Sequence, residues 1–300
     1  MNNRIHVHNL ETKSELKLKL NRNWVRTIRI NADGNKILAY SGTKIFVLSL
    51  PTGEYVQTIN LENSVIDLDF SPDGKYIATA ESDSSILIWD VATGKQKGEK
   101  FKFNIRPRSV SFSPDAKEII ATFTDYSTYS TKVCDIINGI VLHEWTENSS
   151  VYRAKYSQNG EYIIKYGIGT KIEKGGSTKF NLNGGAVEDI EVSPDEKYVA
   201  VATHNKVDIY DFDTQEKIIT FNAGDYSSPG YRSSQTIEQI AFTPCGRYLL
   251  ALTENGILGK WNLDIPFDDS AVLELSNEMR LFAPLSNKDI EQLKIKWWLR

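Results

Sequence analysis

The stretch Asp69-Phe70-Ser71-Pro72-Asp73-Gly74-Lys75-Tyr76-Ile77-Ala78 places apolar-alternating runs on both sides of a Ser-Pro-Asp-Gly turn. Proline presets φ, aspartate bonds its own backbone, and glycine admits φ > 0, so the segment predicts two antiparallel strands tightly joined. The phrase returns as Phe112-Ser113-Pro114-Asp115 and Val192-Ser193-Pro194-Asp195. Looser copies are Ile30-Asn31-Ala32-Asp33-Gly34, Tyr156-Ser157-Gln158-Asn159-Gly160 and Phe242-Thr243-Pro244-Cys245-Gly246. Anchored on residues 30, 70, 112, 156, 192 and 242, the copies are spaced 40, 42, 44, 36 and 50 residues apart. Two residues before each anchor stand Ile28, Leu68, Val110, Ala154, Ile190 and Ile240, all apolar. Three before stand Thr27, Asp67, Ser109, Arg153, Asp189 and Gln239, all polar, and seven after stand Ile37, Ile77, Ile119, Ile163, Val199 and Leu249. A period of two on either side of the turn is strand periodicity.

A second phrase follows each copy, most clearly Ser85-Ile86-Leu87-Ile88-Trp89-Asp90-Val91-Ala92-Thr93-Gly94. Leu48 with Thr52, Cys134 with Asn138 and Tyr210 with Thr214 keep the offset of Trp89 with Thr93. This predicts a third strand, a polar turn and a fourth strand such as 54–59 or 217–221. One four-stranded sheet of 40-odd residues cannot bury both faces, so successive sheets must stack on one another, and 300 residues hold about seven such units.

The Trp89-Asp90 ending and the Phe70-Ser71-Pro72-Asp73-Gly74-Lys75 turn resemble the WD-repeat β-propeller family, over roughly residues 4–264. The resemblance implies an all-β chain, a single β-propeller of four-stranded blades that serves as an interaction platform. The copies are degenerate. The namesake pair is intact only at Trp89-Asp90, and reads Cys134-Asp135, Tyr210-Asp211, Trp261-Asn262 and Leu48-Ser49 elsewhere. The Gly-His pair common before the first strand is absent, so the family's buried His–Asp–Ser/Thr–Trp network lacks its histidine, while Asp83 and Trp89 stand at matching positions.

The chain begins mid-repeat. Residues 5–12 align with the third-strand phrase, and Glu15-Leu16-Lys17-Leu18-Lys19-Leu20 alternates as a fourth strand. Six copies of the first strand pair and seven of the third strand result, so the reading is seven blades, one incomplete and closed by both termini. Six blades with the N-terminal pair on an edge is the alternative. Residues 271–275 and 279–283 are the closing strands expected from the C-terminal side. Ser286-Asn287-Lys288-Asp289 resembles a capping box, and Ile290, Leu293 and Trp297 then share one helical face, predicting a short helix over 287–298. The expected domains are a propeller over 1–283 and a C-terminal helix, 284–300, packed on it or docking a partner or membrane surface.

The composition is that of a globular protein, 40% hydrophobic and 25% charged. Two cysteines exclude a disulfide framework, and a net charge of −4 argues against general nucleic-acid binding. The start lacks an apolar signal core and no run approaches membrane-spanning length, so the expected location is cytoplasmic, with no membrane partner. His6 and His8 alternate on one strand, but two histidines fall short of a zinc site. Gly167-Ile168-Gly169 and Gly175-Gly176 lack the following helix of a phosphate loop, and no nucleophile elbow is present. The Pro-Asp carboxylates read as turn formers, Cys134 as buried and Cys245 as exposed. No enzyme activity, metal or cofactor is expected.

Binding is the better prospect. Candidate partner-binding residues lie in three loops expected on one rim. Arg106 and Arg108 flank Pro107, Tyr126 and Tyr129 lie between the second and third strands of the third copy, and Tyr226, Tyr231 and Arg232 lie in the insertion that widens the last spacing. Tyrosine and arginine dominate protein-binding hot spots. The residues expected to face a channel, Arg29, Asp69, Ser111, Lys155, Glu191 and Ala241, mix signs and make no electrostatic funnel. The sequence therefore predicts a non-catalytic protein–protein interaction scaffold, a monomer by itself, that presents rim loops to a protein or peptide. A channel-site enzyme or a small-molecule or metal-binding propeller is the alternative. A phosphoinositide-binding propeller is weaker, because Arg106-Pro107-Arg108 is only a faint echo of the Phe-Arg-Arg-Gly motif.

Overall fold

The structure, a computed structural model, describes residues 4–9, 14–19, 27–31, 34–50, 52–125, 128–222, 236–243, 245–253 and 258–263. Side chains of residues 4–9, 14–19, 27 and 258 are outside the description. The closing strands over 271–275 and 279–283 and the helix over 287–298 also lie outside the described residues.

The described secondary structure is all β. Strands β1 (Arg4–Asn9) and β2 (Ser14–Lys19) pair as a hairpin, as their alternation predicts. Four-stranded antiparallel sheets follow. The first holds β3 (Thr27–Ile30), β4 (Lys36–Ser41), β5 (Lys44–Ser49) and β6 (Tyr55–Asn60). The second holds β7 (Val65–Phe70), β8 (Tyr76–Glu81), β9 (Ser85–Asp90) and β10 (Gln96–Lys102). The third holds β11 (Pro107–Phe112), β12 (Glu118–Thr124), β13 (Tyr129–Asp135) and β14 (Ile140–Glu147). Next come β15 (Val151–Tyr156), β16 (Ile163–Lys174) and β17 (Ser177–Ala186). A further four-stranded sheet holds β18 (Asp189–Val192), β19 (Tyr198–Thr203), β20 (Lys206–Asp211) and β21 (Lys217–Asn222), and the last described sheet holds β22 (Ile237–Phe242), β23 (Tyr248–Thr253) and β24 (Leu258–Asn262). Each sheet runs in chain order, which is the blade topology of a β-propeller.

The sheet of β15 to β17 hides a fourth strand. Glu173 stands eight residue steps after Lys165, about 26 Å away if the strand were straight. Yet Lys165 Nζ lies 2.9 Å from Glu173 Oε2, and Lys174 Nζ lies 2.5 Å from Glu161 Oε2. The chain therefore reverses within β16, around Gly169 at φ 89°, and its two halves are the second and third strands of the repeat.

The described strands β3 to β16 belong to one compact unit and β18 to β24 to a second, with β17 ending at the border. In the first unit, cores form between successive sheets. Leu38, Ile45, Val47 and Ile59 meet Leu68, Phe70 and Ile77, and Ala80, Ile86 and Ile88 meet Val110, Ile119, Phe123 and Cys134. In the second unit, Val207, Ile209 and Phe221 meet Ile240, Leu249 and Trp261, with the Phe221 and Trp261 rings stacked at 4.9 Å.

Polar clamps cross the same gaps. The buried Asp67 carboxylate accepts from Arg29 Nη2 at 3.1 Å behind it and from the Val110 amide at 3.2 Å ahead. Asp69 accepts from Ser111 Oγ and the Phe112 amide, both at 3.1 Å. In the second unit Asp189 accepts from the Ile240 amide at 3.0 Å, the counterpart of the Asp67–Val110 bond. Arg29 and Asp69, expected to face a channel, are each only 4% exposed. Burial lowers the Arg29 pKa to about 10 even though Asp67 and Asp69 work to hold the proton.

The anchor turn repeats in four copies with a serine at its start. The hydroxyls of Ser71, Ser113 and Ser193 donate to Asp73, Asp115 and Asp195 and accept from the amides of Tyr76, Glu118 and Tyr198. Ser157 does likewise with Asn159 and Tyr162. Burial opposes the charge on these aspartates, but the serine hydroxyl and the following lysine outweigh it and hold each carboxyl below its usual range. They are turn formers, as the sequence predicts.

Candidate functional site

The rim where the third sheet meets β15 collects the described candidate residues. Arg106 is exposed just before β11, and its carbonyl accepts from the Thr124 amide at 3.4 Å. Thr124 faces Tyr129 across the β12–β13 pair, and Tyr129 faces Glu147 across β13–β14. Arg106, Thr124, Tyr129 and Glu147 thus form one row across the end of the sheet, at about 4.8 Å per strand. Pairing slips between Pro107 and Ser109, a bulge that re-aims the exposed Arg108. Its guanidinium lies over the Tyr152 ring on β15, 4.2 Å from the centroid, so the arginine is held against the neighbouring sheet. The hydroxyl of Thr122 donates to the Tyr152 carbonyl at 3.0 Å and fixes that neighbour.

Beneath this rim lies a buried lysine. Lys165 is 1% exposed, with Nζ 2.8 Å from Glu147 Oε1 and 2.9 Å from Glu173 Oε2, and 4.4 Å from the Trp145 ring centroid. The hydroxyls of Thr131 on β13 and Thr170 on β16 are buried and find no hydrogen-bond partner among the described residues. At Gly167 any Cβ would stand 2.3 Å from the Ser150 carbonyl oxygen, so glycine lets the 147–151 and 167–170 loops close up. Among the described residues no group of three or more His, Cys, Asp or Glu could hold a metal ion. Tyr126, Tyr226, Tyr231 and Arg232 lie outside the described residues, so only Arg106, Arg108 and Tyr129 are placed.

The WD domain, G-beta repeat family matches residues 53–90, which hold β6 to β9 and the Trp89-Asp90 ending. The chain is 25% identical over 224 residues to Eukaryotic translation initiation factor 3 subunit I of Kluyveromyces lactis, covering 65% of this chain and 63% of that protein. It is 25% identical over 252 residues to Periodic tryptophan protein 2 homolog of Dictyostelium discoideum, covering 72% of this chain and 27% of that protein. It is 23% identical over 175 residues to WD repeat-containing protein WDS homolog of Arabidopsis thaliana, covering 53% of this chain and 33% of that protein. Over residues 53–90 this chain carries a WD repeat. It spans less than two thirds of the length of each of these relatives.

In this WD-repeat chain the tryptophan network is rebuilt without histidine. Trp89 Nε1 donates to Thr79 Oγ1 at 3.0 Å, and Thr79 donates to Glu81 Oε1 at 3.1 Å. Asn63 Nδ2 donates to Glu81 Oε2 at 3.2 Å, and burial raises the Glu81 carboxyl above its usual range. Asp83, at the position expected to join that network, instead accepts from the Ser85 amide and hydroxyl and from Lys102. The signal for Lys165 was available. Nine residues after each anchor stand Ala39, Thr79, Ala121, Val201 and Ala251, and the WD-repeat chain puts lysine at the fourth copy alone. A lysine at a position that is otherwise small and buried requires buried carboxylates beside it.

Proposed function

We propose that this WD-repeat chain is a non-catalytic scaffold that binds a protein partner through the rim formed by the third sheet and β15. The observation that carries the reading is Arg108, exposed yet held over the Tyr152 ring at 4.2 Å. Pre-ordering a long side chain lowers the entropy cost of using it at an interface. Arg106 and Tyr129 beside it supply further area and donors of the hot-spot type. The names of the similar proteins support membership of an assembly, since one of them is a subunit of an initiation factor. Cytoplasmic residence belongs to the same reading, and the two free thiols are compatible with a reducing compartment.

The test is affinity capture with mass spectrometry from the native host, comparing the wild-type chain with Arg108→Ala and Tyr129→Ala. Arg108 is exposed and Tyr129 half-buried at the strand end, so the urea midpoint should hold for Arg108→Ala and fall little for Tyr129→Ala while at least one stoichiometric partner is lost. Retention of every captured protein by both variants would rule out the rim as the partner site.

A further inference from the structure

Residues 95–108 hold Lys95, Lys97, Lys100, Lys102, Arg106 and Arg108 against one acid, Glu99, a local charge of +5 in a chain of net −4. The stretch is the whole of β10 followed by the rim loop and the start of β11. β10 is the outermost strand of its sheet, so the cations lie along one free edge about 20 Å long and lead onto the rim. All but Lys97 are exposed. Part of this charge is balanced, by Asp83 and, at longer range, by Asp90 acting on Lys97 and Glu81 acting on Lys100. Lys100 and Lys102 share a single carboxylate, Asp83, at 3.7 and 3.2 Å. Among the described residues no carboxylate stands within ion-pair distance of Lys95, Arg106 or Arg108.

We infer that this band is the docking track for an acidic polypeptide segment of the partner, laid along β10 and ending on Arg106 and Arg108. Charge complementarity selects an anionic occupant, and the aromatic groups select protein over single-stranded RNA. RNA binding of this kind needs open ring faces on which bases stack. Here the ring of Tyr76 is covered by Lys97 Nζ at 3.8 Å, that of Tyr152 by Arg108, and Phe103 packs on Phe123 at 4.5 Å. What the band offers is a file of ammonium and guanidinium donors, the recognition chemistry of carboxylates. The inference rests on the reading of the rim as the partner site, because Arg106 and Arg108 belong to both.

Fluorescence anisotropy with a labelled twelve-residue peptide alternating glutamate and serine tests it on the full chain. The peptide should bind with one-to-one stoichiometry, at least about tenfold tighter than its glutamine counterpart, and weaken as salt shortens the screening length. The double variants Lys100→Gln/Lys102→Gln and Arg106→Gln/Arg108→Gln should each weaken it about tenfold or more, and Lys179→Glu on β17 should not. Unchanged circular dichroism and urea midpoints confirm that each variant is folded. Equal binding of the glutamine peptide, insensitivity to both double variants, or tighter binding of a twelve-nucleotide oligouridylate or of phosphatidylserine vesicles overturns the inference. Loss of natural partners on Arg108→Ala without peptide binding leaves the rim reading standing and removes the acidic segment. Peptide binding with all natural partners retained does the reverse.

Discussion

Ala116 occupies a place that the other copies of the repeat mostly give to glycine. Four residues after each anchor the backbone is left-handed, with φ of 67° at Gly34, 64° at Gly74, 58° at Ala116, 78° at Gly160, 58° at Glu196 and 72° at Gly246. An L residue pays about 1–2 kcal/mol there, because Cβ crowds the following carbonyl. Glycine escapes that cost but gives up about 0.5–1 kcal/mol more chain entropy on folding. Ala116→Gly should therefore stabilise the protein by about 0.5–1 kcal/mol. The turn hydrogen bonds are kept, since Ala116 contributes only its amide, to the Ser113 carbonyl at 3.0 Å. With a urea dependence of about 2–3 kcal/mol per molar, the midpoint followed by tryptophan fluorescence should rise by about 0.2–0.5 M. Gly74→Ala is the reverse trade with a clash added. Its Cβ would lie 2.9 Å from Asn31 Nδ2, which donates to Asn35 Oδ1 at 3.0 Å while Asn31 Oδ1 accepts from the Lys36 amide, so Asn31 cannot simply swing away. The expected loss is about 1–2 kcal/mol. A falling midpoint for Ala116→Gly, or an unchanged one for Gly74→Ala, would refute the assignment of this turn position.

Further outcomes follow from the buried and turn carboxylates and from the thiols. Asp67→Ala removes the nearest carboxylate from the buried Arg29 and an acceptor from the Val110 amide, and should cost about 3 kcal/mol in urea unfolding; a loss below about 1 kcal/mol would contradict the clamp. Asp73, Asp115 and Asp195 have folded pKa values below their unfolded ones, so their contribution is present above the unfolded value of 3.8 and is lost as pH falls through the folded values. Thermal midpoints should therefore drop below about pH 4, and less steeply in Ser71→Ala, which removes one of the groups lowering Asp73; a parallel drop in that variant would count against the account. Burial pushes the Cys134 thiol up to about 12, whereas Cys245 is exposed, so a thiol reagent should label one cysteine in the native protein and the second only after unfolding. Rapid labelling of both would mean that Cys134 is not in the core.

Much of this was legible because the repeat carries its own register. The apolar position two before each anchor is buried in every copy, from 0% exposed at Leu68 and Ile190 to 3% at Val110 and Ala154, and the Pro-Asp turn is built as its residues demand. Alternation and turn chemistry are local, and local rules survive into the fold. What the alignment could not give was non-local. That Arg108 lies on Tyr152 depends on how far one sheet is displaced from the next, and on a bulge between Pro107 and Ser109 that no single residue marks. That Lys165 finds both Glu147 and Glu173 depends on the reversal inside β16, which a pattern of continuous extended residues conceals. The missing histidine was readable at once, but its replacement was not. Thr79 and Glu81 are unremarkable strand residues until Trp89 and Asn63 are brought to them.

The degeneracy of the copies then has a physical reading. A repeat that loses its histidine and most of its tryptophans gives up the bonds that tie its own strands together, and something else must hold each sheet. In this chain part of that work has moved into the gaps between sheets. Asp67 and Asp69 fasten the second sheet to the third, Thr122 fastens the third to β15, and Asp189 fastens β18 to β22. Each carboxylate or hydroxyl satisfies a neighbour's backbone group that would otherwise be buried unpaired, at a cost of about 1–3 kcal/mol. Such clamps need only one short polar side chain on the first strand, or on the second in the case of Thr122, and none of them uses the side chain of Arg106, Arg108 or Tyr129. The rim is therefore free to change without unfolding the sheets, and on that rim Arg106, Arg108 and Tyr129 stand.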